Sequence, residues 1–118
     1  MKKIIFYSYL KCSTCRKAEK WLKSKDFEFQ LIDIVKEPPL VNYLNIALKQ
    51  YSDDKKRIFN ARGKAFKTLS LNINSLSRDE IIQLLLSDGK LIKRPFLIYE
   101  RKKIILGFNE IQYAKQLR

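Results

Sequence analysis

The first 34 residues constrain the fold most, because three periodic patterns follow one another there. Residues 3–7 hold a short, continuous apolar run that predicts a strand buried on both faces. Residues 13–25 predict a helix, capped by Ser13 or Thr14, whose apolar stripe consists of Cys15, Ala18, Trp21 and Leu22. Residues 27–34 alternate between apolar and polar side chains, which predicts an edge strand. Strand, helix and strand in such a short span predict a right-handed βαβ unit.

The middle of the chain, about residues 40–90, is predicted to be helical. A helix is expected over about 40–51, a short one over 53–59, and another short one from Ala65 after a turn. Ser77 and Glu80 form a capping box for a further helix, which is expected to stop at the glycine of residues 88–89.

The last third of the chain predicts a β-hairpin followed by a helix. Two apolar runs, 96–99 and 103–106, flank a polar turn, and Asn109 caps a helix that reaches about Leu117. The predicted fold is therefore α/β: one domain over residues 1–118 with a four-stranded mixed sheet, in the order β-α-β, helical insertion, β-β-α.

Composition excludes several kinds of chemistry. The chain has two Cys and no His, so Ser–His and Cys–His nucleophile pairs are impossible and the donor set for zinc is poor. We expect no metal site. The net charge of +13 is spread almost evenly along the chain, so we expect no direct binding of nucleic acid.

Hydropathy gives an expected location. No apolar stretch is long enough to span a membrane, and the apolar run near the N-terminus is too short for a signal peptide. We therefore expect a cytoplasmic protein without membrane contact. A monomer is expected as well, because packing the apolar stripes leaves no long exposed apolar face.

The strongest chemical motif is Cys12-Ser13-Thr14-Cys15, between the first strand and the first helix. Cys12 falls near the helix cap, where free N–H groups and the helix dipole favour a thiolate, and Lys11 and Arg16 flank the pair. Cys15 lies one turn on, on the buried stripe. This context favours a redox pair, with Cys12 as the nucleophile and Cys15 as the resolving thiol. A structural disulfide, half of a zinc site and two ordinary buried cysteines are the alternatives.

A second candidate element is Lys93-Arg94-Pro95, immediately before the third strand. Pro95 is a candidate cis-proline, since a proline there cannot continue a ladder. Arg94 would then present its guanidinium to Cys12 or to an oxyanion. The alternative is an arginine that faces solvent.

Five segments in order resemble the arsenate reductase (ArsC)/Spx family of thioredoxin-fold proteins. They are the early CxxC, LIDIVKEPP, NARGKAFKTL, LLLSDGKLIKRPFLI and ILGFNE. The resemblance covers the whole chain and is greatest to the short, reductase-like members. It implies a thioredoxin-like (glutaredoxin-like) fold with a helical insertion.

The resemblance to the arsenate reductases implies a nucleophile at Cys12 and oxyanion-binding arginines at Arg94 and Arg62. A third arginine of that family falls where this chain has Gly107, and the resolving position, usually Ser or Thr, is Cys15 here. Both departures disfavour arsenate as the substrate. In those enzymes glutathione and glutaredoxin complete the reduction.

The resemblance to the Spx regulators implies a redox switch at the two cysteines and binding to RNA polymerase. Those proteins usually continue past the last helix and use a glycine in the insertion, whereas this sequence stops at Arg118 and has no glycine between residues 40 and 60. Both differences make RNA polymerase the less favoured partner.

The sequence thus predicts a cytoplasmic thiol–disulfide oxidoreductase of the ArsC-like type. Its substrate would be a thiol, a disulfide or a small oxyanion. No cofactor is expected to be bound, and the external reductant would be glutathione, another thiol, or a protein of the glutaredoxin or thioredoxin type. A glutathione/glutaredoxin-dependent arsenate reductase and an Spx-like regulator are the alternatives.

Overall fold

A computed structural model describes residues 3–117, which form a mixed sheet with helices on both faces. The helices and strands are β1 (Ile4–Ser8), α1 (Ser13–Ser24), β2 (Phe29–Asp33), α2 (Val41–Gln50), α3 (Lys64–Leu69), α4 (Arg78–Ser87), β3 (Phe96–Tyr99), β4 (Lys103–Leu106) and α5 (Glu110–Gln116). Short 3₁₀ turns occupy residues 55–58, 73–75 and 89–91. The terminal residues of the predicted domain, 1, 2 and 118, lie outside the described part.

The sheet has the strand order β2-β1-β3-β4. β1 pairs in parallel with β2 and antiparallel with β3, and β3 forms the predicted antiparallel hairpin with β4. All five residues of β1 are buried, as its continuous apolar run predicted. β2 is an edge strand, also as predicted. The predicted element order and the mixed four-stranded sheet are confirmed.

Each face of the sheet carries its own core. On one face the β1 residues Ile4 and Phe6 pack with Ala18 and Leu22 of α1 and Tyr113 of α5. On the other face, side chains of the opposite parity pack with α2, α4 and the 3₁₀ turns of the insertion. β1 therefore ends between two packed layers, and the loop that leaves it toward α1 starts from a rigid base.

The insertion supports the opposite edge of the sheet. The Gln50 amide Nε2 donates to the carbonyl of Ile104 at 2.9 Å, and the Ile104 N–H donates to Gln50 Oε1 at 2.8 Å. This pair of hydrogen bonds satisfies a stretch of the β4 backbone that has no neighbouring strand.

Two details of the predicted insertion need correction. The segment predicted as a short helix over 53–59 is a 3₁₀ turn over 55–58. Gly89 does not cap α4, which ends at Ser87, and its φ is not positive. Gly89 instead passes so close to the chain after β2 that a Cβ there would lie 2.0 Å from the carbonyl oxygen of Ile34. Glycine is required by close backbone approach and not by a left-handed φ.

Candidate active site

Cys12, and not Ser13 or Thr14 as predicted, occupies the N-cap of α1, at the point where the chain turns from β1 into the helix. Its backbone is extended, its N–H donates to the carbonyl of Tyr9 at 2.9 Å, and its Sγ accepts a hydrogen bond from the N–H of Cys15 at 3.3 Å. A thiolate at this position takes the place that the side-chain oxygen of Ser or Asp takes at other helix caps. The helix therefore stabilises the charged form of Cys12.

The electrostatic balance at Cys12 favours ionisation. Burial is the largest single effect and opposes it, but the hydrogen bonds from Cys15 and the positive charge of Arg94 together outweigh burial, so that the pKa of Cys12 lies below its ordinary value. The side chain is half-buried, and a substrate atom can therefore reach it.

Cys15 has the opposite character, although it lies one helical turn away. Its side chain is fully buried on the inner face of α1. Burial, followed by the hydrogen bond and the charge of Cys12, raises the pKa of Cys15 to about 12. Both cysteines are free thiols in this structure, so the pair consists of an activated thiol beside a protonated one.

Arg94 approaches Cys12 from the segment that enters β3. Its guanidinium lies over the ring of Tyr9, 5.1 Å from the ring centroid, and Nη1 donates to the carbonyl of Lys90 at 3.3 Å. The Arg94–Pro95 peptide bond is cis. Arg94 is thus held by an aromatic ring and a carbonyl while its charge acts on Cys12.

The structure places the other candidate cations differently. Lys11 is exposed. Arg16 turns toward the loop and donates from Nη1 to the carbonyl of Leu10 at 2.7 Å, which holds that loop against α1. Cys12, Cys15 and Arg94 are therefore the candidate residues that the structure brings together.

Arg62 lines an open cavity of about 390 Å³ together with Lys93, which precedes Arg94 in the chain. The lining of this cavity within the described residues includes none of Cys12, Cys15 and Arg94. The lining consists of Asp54, Lys56, Arg57, Phe59, Asn60, Ala61, Arg62, Lys93 and Leu106.

Two residues near the site were missed by the sequence reasoning. Tyr9 carries the Arg94 guanidinium, and Ser8, a buried polar residue, contributes a hydrogen bond that acts on Cys15. The only signal for them in the sequence is position: Ser8 is the last residue of β1 and Tyr9 follows it, shortly before the motif. In the described part of the chain, no group of three Cys, Asp or Glu side chains could hold a metal ion, and no helix is both long and apolar enough to cross a membrane.

Comparison with known proteins agrees with this geometry. The ArsC family model matches residues 7–116. The uncharacterized protein YusI of Bacillus subtilis is 40% identical over 114 residues, 95% of this chain and 96% of its own. The global transcriptional regulator Spx of Lactiplantibacillus plantarum is 33% identical and covers 97% and 86%.

A solved structure adds the fold. The crystal structure of a possible arsenate reductase from Streptococcus mutans superimposes with a TM-score of 0.85 at 38% identity, over 92% of this chain and 93% of that one. The expected thioredoxin-like fold is thereby confirmed.

Proposed function

The chain belongs to the ArsC family, and we propose that it is a thiol–disulfide oxidoreductase with Cys12 as nucleophile and Cys15 as resolving thiol. The observation that carries the proposal is the contrast within the pair. Cys12 is accessible, sits at a helix cap and has a lowered pKa, whereas Cys15 is buried and its pKa is raised to about 12. Two ordinary buried cysteines would both be shielded and both protonated.

The first step is attack of the Cys12 thiolate on one sulfur of a substrate disulfide. A mixed disulfide forms, the substrate S–S bond breaks, and the other sulfur leaves as a thiolate that takes a proton from water. Arg94 and the N–H of Cys15 hold the charge of Cys12 before attack.

The second step requires Cys15 to ionise, and the first step prepares it. The charge and hydrogen bond of Cys12 are two of the causes that raise the pKa of Cys15, and the mixed disulfide removes that negative charge. Cys15 then gives its proton to water and attacks the Cys12 sulfur. The second substrate thiol leaves, and the Cys12–Cys15 disulfide holds the oxidation. Two electrons have passed from the two cysteines to the substrate. Glutathione or a glutaredoxin- or thioredoxin-type protein then reduces the Cys12–Cys15 disulfide back to two thiols.

Free thiols and an external thiol reductant are typical of a reducing compartment. We therefore propose a cytoplasmic location for the protein.

The test uses single-cysteine variants and the aromatic disulfide 5,5′-dithiobis(2-nitrobenzoate). We expect Cys15→Ser to trap the mixed disulfide and to release a single coloured thiolate. The unchanged protein should release a second one as the intramolecular disulfide forms, and Cys12→Ser should react slowly. If Cys12→Ser reacts as fast as the unchanged protein, the proposal is wrong.

A small oxyanion is a second candidate substrate, favoured by the likeness to the Streptococcus mutans protein and by the position of Arg94 beside Cys12. Arsenate-dependent oxidation of NADPH, in the presence of glutathione, glutathione reductase and glutaredoxin, would select this function. Cys12→Ser is the control, and it should abolish the signal.

A redox-sensing regulator is a third candidate, favoured by the 33% identity to an Spx protein. In that case the Cys12–Cys15 disulfide would be the signal itself, and RNA polymerase would be the partner. Recovery of polymerase with the reduced protein, lost after oxidation with diamide, would select this function.

A further inference from the structure

Tyr113 of α5 has the largest side chain among the fully buried residues of the described chain. Its ring packs edge-on against Trp21 of α1, with centroids 5.7 Å apart, and against Phe108, with centroids 4.9 Å apart. A phenylalanine ring would fill the same space. The feature that calls for an explanation is therefore the hydroxyl, since burying a hydroxyl in an apolar core costs free energy unless it is hydrogen-bonded.

The hydroxyl of Tyr113 begins a path of hydrogen bonds that leads toward the cysteines. It donates to the carbonyl of Gly107 at 3.0 Å, and the N–H of Gly107 donates to the carbonyl of Pro95 at 2.9 Å. Gly107 adopts a φ of +72°, which glycine allows without strain. Both polar backbone groups of Gly107 are thus engaged, one on each side, so that α5 is tied to the segment that carries Arg94.

The same segment is joined to Cys12 from the other side. The guanidinium of Arg94 lies over the ring of Tyr9, and the carbonyl of Tyr9 accepts the N–H of Cys12. The path therefore runs from the core of the domain to the nucleophile through contacts that are each short and specific.

The surroundings of Tyr113 keep its hydroxyl a donor. Burial, and then the charge of Cys15, raise the pKa of Tyr113 well above its ordinary value, so the hydroxyl remains protonated over the working range of the protein. The charged and polar groups that act on Cys12 itself are Cys15 and Arg94.

We propose that Tyr113 is a positioning residue, whose hydroxyl acts through Gly107 and Pro95 to hold the Arg94 guanidinium against Cys12. This inference rests on the proposed function, because it concerns the activation of the same nucleophile. It assigns Tyr113 no contact with the substrate.

The test removes the hydroxyl with Tyr113→Phe and follows alkylation of Cys12 by iodoacetamide as a function of pH. We expect the midpoint of the profile to move to higher pH and the rate at pH 7 to fall about threefold, while the rate at high pH stays unchanged. The matched control is Tyr43→Phe, because Tyr43 is also a buried tyrosine but lies on the opposite face of the sheet. We expect that control to leave the pH profile unchanged, whatever it does to the melting temperature.

A double-mutant cycle shows whether Tyr113 acts through Arg94. In an Arg94→Gln background we expect Tyr113→Phe to cause no further shift of the profile, since coupled residues are not additive. A full additional shift would overturn the proposed path, and an unshifted profile for Tyr113→Phe alone would overturn the proposal.

Incorporated analogues keep the test decisive if Tyr113→Phe does not fold. At position 113, 4-aminophenylalanine retains a donor and should preserve the unchanged profile, whereas 4-fluorophenylalanine lacks one and should shift it. Equal profiles for the two analogues would overturn the proposal. Failure of the proposed function would be visible separately, as an ordinary thiol titration of Cys12 in the unchanged protein.

Discussion

At the scale of single residues, two thiols in the same helical turn differ because of what each one faces. Cys12 receives the free N–H of Cys15 and the charge of Arg94, whereas Cys15 faces the packed side of α1 with Ala18 and Leu22. Burial opposes ionisation at both sites, but at Cys12 it is outweighed. The helix cap and the charge of Arg94 therefore account for the lowered pKa of Cys12, and burial is the main cause of the raised pKa of Cys15.

Arg94→Gln tests the contribution of the arginine. We expect the pKa of Cys12 to rise and its alkylation rate at pH 7 to fall about three- to tenfold, because an opposite charge near a thiol favours the thiolate. The measurement is the pH profile of alkylation. Arg94→Lys is the control: it keeps the charge but loses the planar contact with Tyr9, so an intermediate profile is expected. A profile for Arg94→Gln that matches the unchanged protein would contradict this assignment.

Some of this residue-scale picture can be predicted from the sequence and some cannot. The positions of Cys12 at a helix start and Cys15 on a buried stripe follow from periodicity, because both are local properties of one helix. The direction of a long side chain is not local. The sequence places Arg16 beside Cys12 but does not predict that its guanidinium donates to the carbonyl of Leu10, nor that Arg62 shares a cavity with Lys93. The pairing of Arg94 with Tyr9 likewise depends on how distant segments meet.

At the scale of elements, β4 is an edge strand whose outer backbone groups are engaged by a side chain of α2. Gln50 and Ile104 are 54 residues apart in sequence, and no pattern in the sequence predicts their contact. The β4 strand itself was predictable, because its apolar run and its turn are local. The Gln50 side chain that covers the edge of β4 reaches it only in the folded protein.

We expect Gln50→Ala to lower the free energy of unfolding by about 1–3 kcal/mol, because it leaves the N–H and carbonyl of Ile104 without a partner in a half-buried place. Urea unfolding measures the effect. Gln30→Ala on β2 is the control, since that side chain is exposed, and it should change stability little. Equal effects for the two variants would show that the Gln50 contacts contribute nothing.

Two glycines of the insertion make an informative pair. We expect Gly89→Ala to destabilise the fold by about 1–3 kcal/mol or more, because the new Cβ meets the backbone carbonyl of Ile34, which cannot move without displacing the end of β2. Gly63→Ala should cost less, because the nearest atom to its Cβ is the amide end of the Asn60 side chain, which can rotate away, and the nearest backbone atom, the carbonyl oxygen of Asn60, is 3.2 Å away. Thermal unfolding of both variants checks this, and a similar loss of stability in both would contradict the argument.

At the scale of the whole molecule, the sequence predicts the order of elements better than their contacts. Hydrophobic periodicity located every strand and α-helix to within a few residues, because each buries one face or stripe. The prediction that Gly89 caps a helix is wrong. A glycine after a helix can provide a left-handed cap or allow a close backbone approach, and only the tertiary contact of Gly89 with Ile34 distinguishes the two. Tyr113 is a similar case: the helix that carries it was predicted, but the hydrogen bond from its hydroxyl to the carbonyl of Gly107 was not.

The buried groups of the fold also predict how stability depends on alkaline pH. The pKa of Cys15 is raised to about 12, whereas a thiol in the unfolded chain titrates near 9.0. Between these values the unfolded chain releases a proton that the folded chain keeps. The free energy of unfolding should therefore fall as pH rises above 9, by up to about 1.4 kcal/mol per pH unit for this group. Below pH 9 the contribution of Cys15 is fully present.

Other groups titrate close to this range, so the comparison with Cys15→Ser is what isolates Cys15. The pKa of Cys12 is lowered, so its contribution to stability becomes complete as the pH rises past 9. The pKa values of Tyr7 and Tyr113 are raised above 10.0, so their contributions are lost as the pH rises through 10. Urea unfolding of the reduced protein at pH 8, 9 and 10 should show the decline, and Cys15→Ser should reduce it. Because a hydroxyl does not titrate in this range, parallel curves for the two proteins would mean that Cys15 is not held as a protonated thiol by the fold.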